Sequence, residues 1–144
     1  MFAFPTEKMH LKKLDRGWLW AVLAIVWMGL IYALSDRPGG YFDDASEATS
    51  WLPFATTVAH VGLYLVLSAF VLRALVLLKP VSEGLIAYST LFVALVYGVL
   101  DELHQSDVEG RTSEVIDVVA DVSGAVLVVV FWFFLKKYRA NSNE

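Results

Sequence analysis

Four stretches of the chain are apolar for long enough to cross a bilayer, which takes about 20 helical residues with a range of roughly 17–25. The first, about 18–34, has no charge and follows a basic segment holding Lys8, Lys12, Lys13 and Arg16. The second, about 58–78, is interrupted only by His60 near its start and Arg73 near its end. Pro80 and a short turn, Ser82-Glu83-Gly84, separate it from the third, about 85–100, which ends abruptly in Asp101-Glu102. The fourth, about 114–135, has Ser113 as its expected N-cap and Glu114 in its first turn, and it runs out at Lys136-Lys137. The pattern predicts an all-α fold, a four-helix transmembrane bundle formed by residues 1–144 as one domain, without internal repeats or low-complexity tracts. The first stretch fits a true span better than a secretory signal, whose apolar region is usually only about 7–15 residues.

Composition supports the same class. The chain is 58% hydrophobic and 18% charged, where a soluble domain would carry charge on about a quarter of its positions. A multi-pass protein of the cell membrane is therefore expected. Trp18, Trp20, Trp27, Trp51 and Trp132 suit interface anchoring or lipid-facing bulk. The absence of cysteine excludes disulfides, thiolate nucleophiles and cysteine-based metal sites. A net charge of −4 argues against a nucleic-acid partner.

The distribution of charge says more than its sum. Nine of the eleven Lys and Arg fall in the N-terminal segment, the connection between the second and third spans, and the tail. Because basic residues are retained in the cytoplasm, both termini are expected to be cytoplasmic. Eleven of the fifteen acids lie at the opposite end, which would face outward. The acidic stretch from Asp43 to Glu47 fits a solvated loop or a short helix lying on the membrane.

Candidate chemistry gathers at that acidic end. His60 and Tyr64 are one helical turn apart. If the third helix continues past the acids, Tyr97, Asp101, His104 and Gln105 share a face, with Glu102 turned about 100° from Asp101. Asp117, Asp121 and Gly124 follow at helical spacing in the fourth span, where glycine allows close helix approach. Asp121 lies about 12 Å beyond Ser113 along the axis. A carboxylate at mid-bilayer costs at least ~2.5 kcal/mol, so Asp121 is expected to face the bundle or a water-filled pocket. Arg111, the only Lys or Arg beside these acids, is the expected partner for one of them.

Taken in order, these elements resemble the VanZ-like family of small integral membrane proteins. The matching pieces are His60 with Tyr64; Asp101-Glu102-Leu103-His104-Gln105; Gly110-Arg111; and Asp117 followed by Asp121 and Gly124, with Ser35 after the first span. The chain departs from the usual pattern at Thr57, where a basic residue is frequent, at Glu109 in place of proline, and at Asp121 in place of asparagine. The resemblance implies a cell-envelope role of the kind associated with teicoplanin resistance, and it implies no particular reaction.

Two classes of function remain open. In one, Glu102, His104 and Asp117 are candidate acid–base groups, while Arg111, His60, Tyr64, Asp101, Gln105 and Asp121 hold a membrane lipid, wall precursor or other envelope amphiphile. In the other, the same residues form a register-fixing network in a non-catalytic subunit of a larger membrane complex. Asp101, Glu102, His104 and Asp117 are ligand types that Zn, Mn or Mg accept, but no compact spacing fixes a geometry, so no metal and no other cofactor is expected. Transport is disfavoured, because the fourth span is apolar throughout below Gly124.

Overall fold

Inside hydrocarbon every backbone N–H and C=O needs a partner within the protein, and a helix supplies one at every residue. The computed structural model describes residues 16–38, 55–78 and 81–142. Their regular structure is helical throughout: α1 (Gly17–Ser35), α2 (Ala55–Leu78), α3 (Glu83–Gln105) and α4 (Val115–Asn141). All four are long and apolar enough to cross a membrane. The basic segment before Arg16, the acidic stretch 43–47, Trp51, Lys79 and Pro80 lie outside the described residues.

The helix ends differ from the pattern-based expectation in instructive ways. Glu83 and Gly84 belong to α3 rather than to a turn, because Ser82 caps the helix, its Oγ accepting from the Leu85 N–H at 3.3 Å. Asp101 and Glu102 do not end α3, which continues to Gln105. Likewise α4 passes through Lys136-Lys137 to Asn141, since cations near a helix C-terminus are favourable. Ser113 is not the cap of α4. That position is taken by Glu114, whose own side chain makes no capping bond, and the Glu114 N–H donates instead to Glu102 Oε2 of α3 at 2.7 Å.

Small and polar side chains share the interior with Tyr64, Leu67, Ile31 and a few other large ones, and most large apolar side chains cover the outside. Ala24, Ala74, Ala94, Ala120, Ala125, Ser35, Ser68 and Thr90 are buried, whereas Ile25, Val115, Phe131 and Phe134 are exposed. This is the distribution expected where lipid solvates large side chains as well as the protein interior does, and helices associate by close approach. The broadest contact is between α2 and α4; α3 packs on both, and α1 lies mainly against α2. Gly124 permits the closest approach, because a Cβ there would stand 2.5 Å from Val61 O and 2.8 Å from Leu65 N.

Side-chain hydrogen bonds to the backbone fix α1 against its neighbours. Trp27 Nε1 donates to Leu63 O at 2.9 Å, and Tyr97 OH donates to Met28 O at 2.6 Å. Phe70 sits between the Trp20 and Trp27 rings at centroid distances of 5.9 and 6.0 Å. The helices alternate in direction, so the C-terminal ends of α1 and α3 meet the N-terminal ends of α2 and α4. At the other end Lys136 pairs with Glu83 and lies 5.3 Å from the centre of the Trp132 ring.

Gly124→Ala is expected to push α4 off the α2 backbone and lower stability by about 1–3 kcal/mol. Gly62→Ala, with nothing within 4 Å of the added carbon, is its control. Unfolding of the purified variants in mixed micelles measures both; equal stability of the two would remove Gly124 as the point of closest approach.

Candidate functional site

Because α3 runs on to Gln105, it carries Asp101 and Glu102 alongside the N-terminal turns of α2 and α4. Asp121, six residues into α4, lies about 9 Å along the axis from Val115. His60 sits in the second turn of α2. These side chains therefore meet inside the bundle rather than at its rim.

Asp101, Glu102, Gln105 and Asp121 are all buried, Asp121 completely, and the His60 side chain is 13% exposed. One oxygen from each of Asp101 and Glu102 and one ring nitrogen of His60 lie within 4.8 Å of one another. In ionised form, two carboxylates held this close repel by at least about 3 kcal/mol at an effective dielectric of ~20. His60 Nδ1 lies 3.0 Å from Asp121 Oδ1, and Nε2 lies 3.9 Å from Asp117 Oδ2. An ionised carboxylate only accepts hydrogen bonds, so pairing with Asp121 places a ring hydrogen on Nδ1. Gln105 Nε2 donates to Asp101 Oδ2 at 2.9 Å.

The bonding is incomplete. Glu102 uses Oε2 for the Glu114 N–H, while its Oε1 is buried without a partner, as are Asp121 Oδ2 and the Tyr64 hydroxyl. Buried polar atoms in folded proteins are nearly always satisfied, so three open positions in one locality set this region apart. Asp121 Oδ2 faces Gly98, where an added Cβ would stand only 2.7 Å away. The absent side chain at 98 is thus what makes room for the carboxylate.

The other predicted residues fall elsewhere. His104 turns toward α1, with Nε2 3.2 Å from Asp36 Oδ1 and its ring stacked on Tyr32 at 4.4 Å. Tyr97 also faces α1, through Met28. Glu102, about 100° from Asp101 around α3, is buried together with it, because α2 and α4 together cover a wide arc of α3. Arg111 lies in the connection between α3 and α4 and, among the described residues, makes no ion pair with a carboxylate, contrary to expectation. Its Nε is buried without a hydrogen-bond partner.

A single polar pocket holding His60, Tyr64, Asp101, Glu102, Asp117 and Asp121 is expected from the sequence, and the structure brings His60 beside Asp101, Glu102 and Asp121; spacing within each helix does not give the individual pairings between helices. Asp36 and Tyr32, the partners of His104, were not singled out; the only sequence signal was that α1 and α3 both end on the acidic side.

Cavities open on the bundle surface. One of about 560 Å³ is walled by Val61, Leu95, Val118, Val119, Val122 and Val126, with Leu127 and Ser123 completing it. Val61, Val118 and Val122 are the chain neighbours of His60, Asp117 and Asp121, so this apolar groove runs beside the polar cluster. Another, of about 450 Å³, lies at the opposite end near Arg73, Trp132, Lys136 and Arg139. Neither is lined by the clustered acids.

No curated protein and no solved structure matches the chain. The model of one family, VanZ/LLP1, matches residues 20–136, a region that reaches from within α1 to within α4 and includes every residue of the polar cluster. With most of its length matched and the cluster inside the match, the chain belongs to the VanZ/LLP1 family.

Proposed function

We propose that the chain is a multi-pass protein of the cell membrane whose acidic end binds or acts on an envelope amphiphile such as a membrane lipid, wall precursor or lipoglycopeptide. The observation that carries this reading is the buried, incompletely partnered set His60, Asp101, Glu102 and Asp121 within apolar helices. Ionisable groups at membrane depth are costly, and where they occur they commonly serve a ligand or an ion. Both termini are cytoplasmic in this reading, which puts the cluster at the extracytoplasmic end.

The residue types suit the two parts of an amphiphile. The aliphatic groove beside the cluster offers a channel for an acyl chain. Arg111, which makes no ion pair with a carboxylate among the described residues, has the donors to hold a phosphate or carboxylate headgroup in bidentate fashion. Glu102, His104 and Asp117 are the candidate groups with acid–base capacity at this end of the bundle. A lipoglycopeptide-resistance role is the family-level form of this reading.

A second reading rests on a different observation. Glu102 holds the first turn of α4 and Gln105 holds Asp101, which is what a stiffening network in a non-catalytic subunit would do. The two diverge under conservative substitution. Glu102→Gln keeps an oxygen for the Glu114 N–H and removes only charge and acid–base capacity; Arg111→Lys keeps charge and removes the fork.

Both variants are expected to abolish a lipoglycopeptide-sensitivity phenotype while membrane abundance stays within about twofold of wild type; abundance falling in step with phenotype would instead support the scaffold. Orientation has its own test in this cysteine-free chain. The thiol of Asp107→Cys is expected to react with an impermeant reagent added outside intact cells, and labelling only from the cytoplasmic side would reverse the topology.

A further inference from the structure

We infer that His60, Asp101 and Glu102 form a binding site for one divalent first-row cation of the Mn²⁺ or Zn²⁺ class. The site comes from two separate helices, α2 and two adjacent positions of α3, and its ligand atoms already lie within 4.8 Å of one another. Ligand atoms on an octahedral centre with bonds of about 2.1 Å are about 3.0 Å apart in cis positions and about 4.2 Å in trans, so the three atoms need to close in by about 1–2 Å to share one ion.

The donor set selects the ion. An imidazole nitrogen with two carboxylates suits Mn²⁺, Fe²⁺ or Zn²⁺, whereas Mg²⁺ and Ca²⁺ favour shells made of oxygen alone. Glu102 is 4% exposed and its Oε1 has no partner, so a ligand position is open without breaking the bond that Oε2 makes to the Glu114 N–H. The remaining contacts are those of an outer ligand shell. Metal-binding imidazoles are usually oriented by a carboxylate on the other nitrogen, and His60 has Asp121 3.0 Å from Nδ1, which leaves Nε2, 3.9 Å from Asp117, as the ligand nitrogen. Asp101 is steadied in the same way by Gln105.

Two buried neighbours add to the case. Asp121 Oδ2 and the Tyr64 hydroxyl are fully buried and unpartnered, and both are oxygen donors of a kind such a cation accepts, directly or through water. A divalent cation also balances the buried negative charge that Arg111 does not pair with. It leaves the groove side of α4 untouched, so the site is independent of whether an amphiphile binds there.

The test uses the full chain in nanodiscs after chelator treatment, with Mn²⁺ and Zn²⁺ as the probes and no amphiphile present. Titration is expected to show one saturable equivalent of Mn²⁺ by loss of the free-ion paramagnetic resonance signal, competed by Zn²⁺ and not by a comparable concentration of Ca²⁺. His60→Gln and Glu102→Gln are each expected to weaken binding roughly 10–100-fold or more, while Asp107→Asn, an exposed acid in the α3–α4 connection, leaves it unchanged. If the variants do not fold, the wild type decides alone: bound Mn²⁺ should show coupling to a single imidazole nitrogen. No saturable binding, binding that survives the substitutions in folded protein, or bound Mn²⁺ without nitrogen coupling each overturns the site.

Discussion

Hydrocarbon cannot hydrate a carboxylate, and the acidic end of this bundle is arranged around that constraint. Acids at the depth of Asp101, Glu102 and Asp121 persist only if the protein supplies what water would. It does so unevenly. The His60 ring faces Asp121 and Asp117, the Gln105 amide serves Asp101, and a backbone N–H of α4 serves Glu102. Each acid is bound at one oxygen. The oxygens left over, Glu102 Oε1 and Asp121 Oδ2, are where a solvent, proton or ligand substitute is still required.

Packing and polarity are linked through glycine. Gly124 brings the backbones of α2 and α4 into contact, which places His60 within hydrogen-bond reach of Asp121. Gly98 leaves on α3 the space that Asp121 Oδ2 fills. With side chains at these two positions the helices would stand further apart, and the polar groups would lose one another before any apolar contact was lost. The small residues of the interior thus set the distances on which the electrostatics depend. The same logic covers Glu102, whose bond to the Glu114 N–H ties the end of α3 to the start of α4 across the nine-residue connection between them.

The four spans were legible in the sequence because lipid imposes a length and an apolar character on each segment separately. Chemistry confined to one helix was legible too: the spacing of Asp117, Asp121 and Gly124 gave the inward face of α4, and Asp121 is indeed buried. What local spacing could not supply was the sharing of a face by several partners. Asp101 and Glu102 are about 100° apart on α3, which in a two-helix picture sends one of them outward. In the bundle α2 and α4 flank that side of α3 and both acids are buried, while His104 meets α1 instead. The cap of α4 departs from the local pattern for a similar reason. Ser113 has the right character locally, and a carboxylate twelve residues earlier in the chain reaches the same N-terminus through space.

Asp121 shows how far the geometry constrains the chemistry. In the family pattern that the chain resembles, asparagine is common at this position. The contact with His60 is made by Oδ1 alone, and an amide oxygen would accept that hydrogen bond equally well. What the carboxylate adds is therefore charge, together with an Oδ2 atom that takes part in no hydrogen bond and lies against Gly98. An uncompensated charge in this position raises the free energy of the bundle unless a positive species is drawn to it. His60 stands at 3.0 Å and is the nearest group able to become one; a cation held by His60, Asp101 and Glu102 would be the other. In either case the acid at 121 strengthens the demand for positive charge at the centre of the cluster, and it does so without altering the hydrogen bond that orients the imidazole.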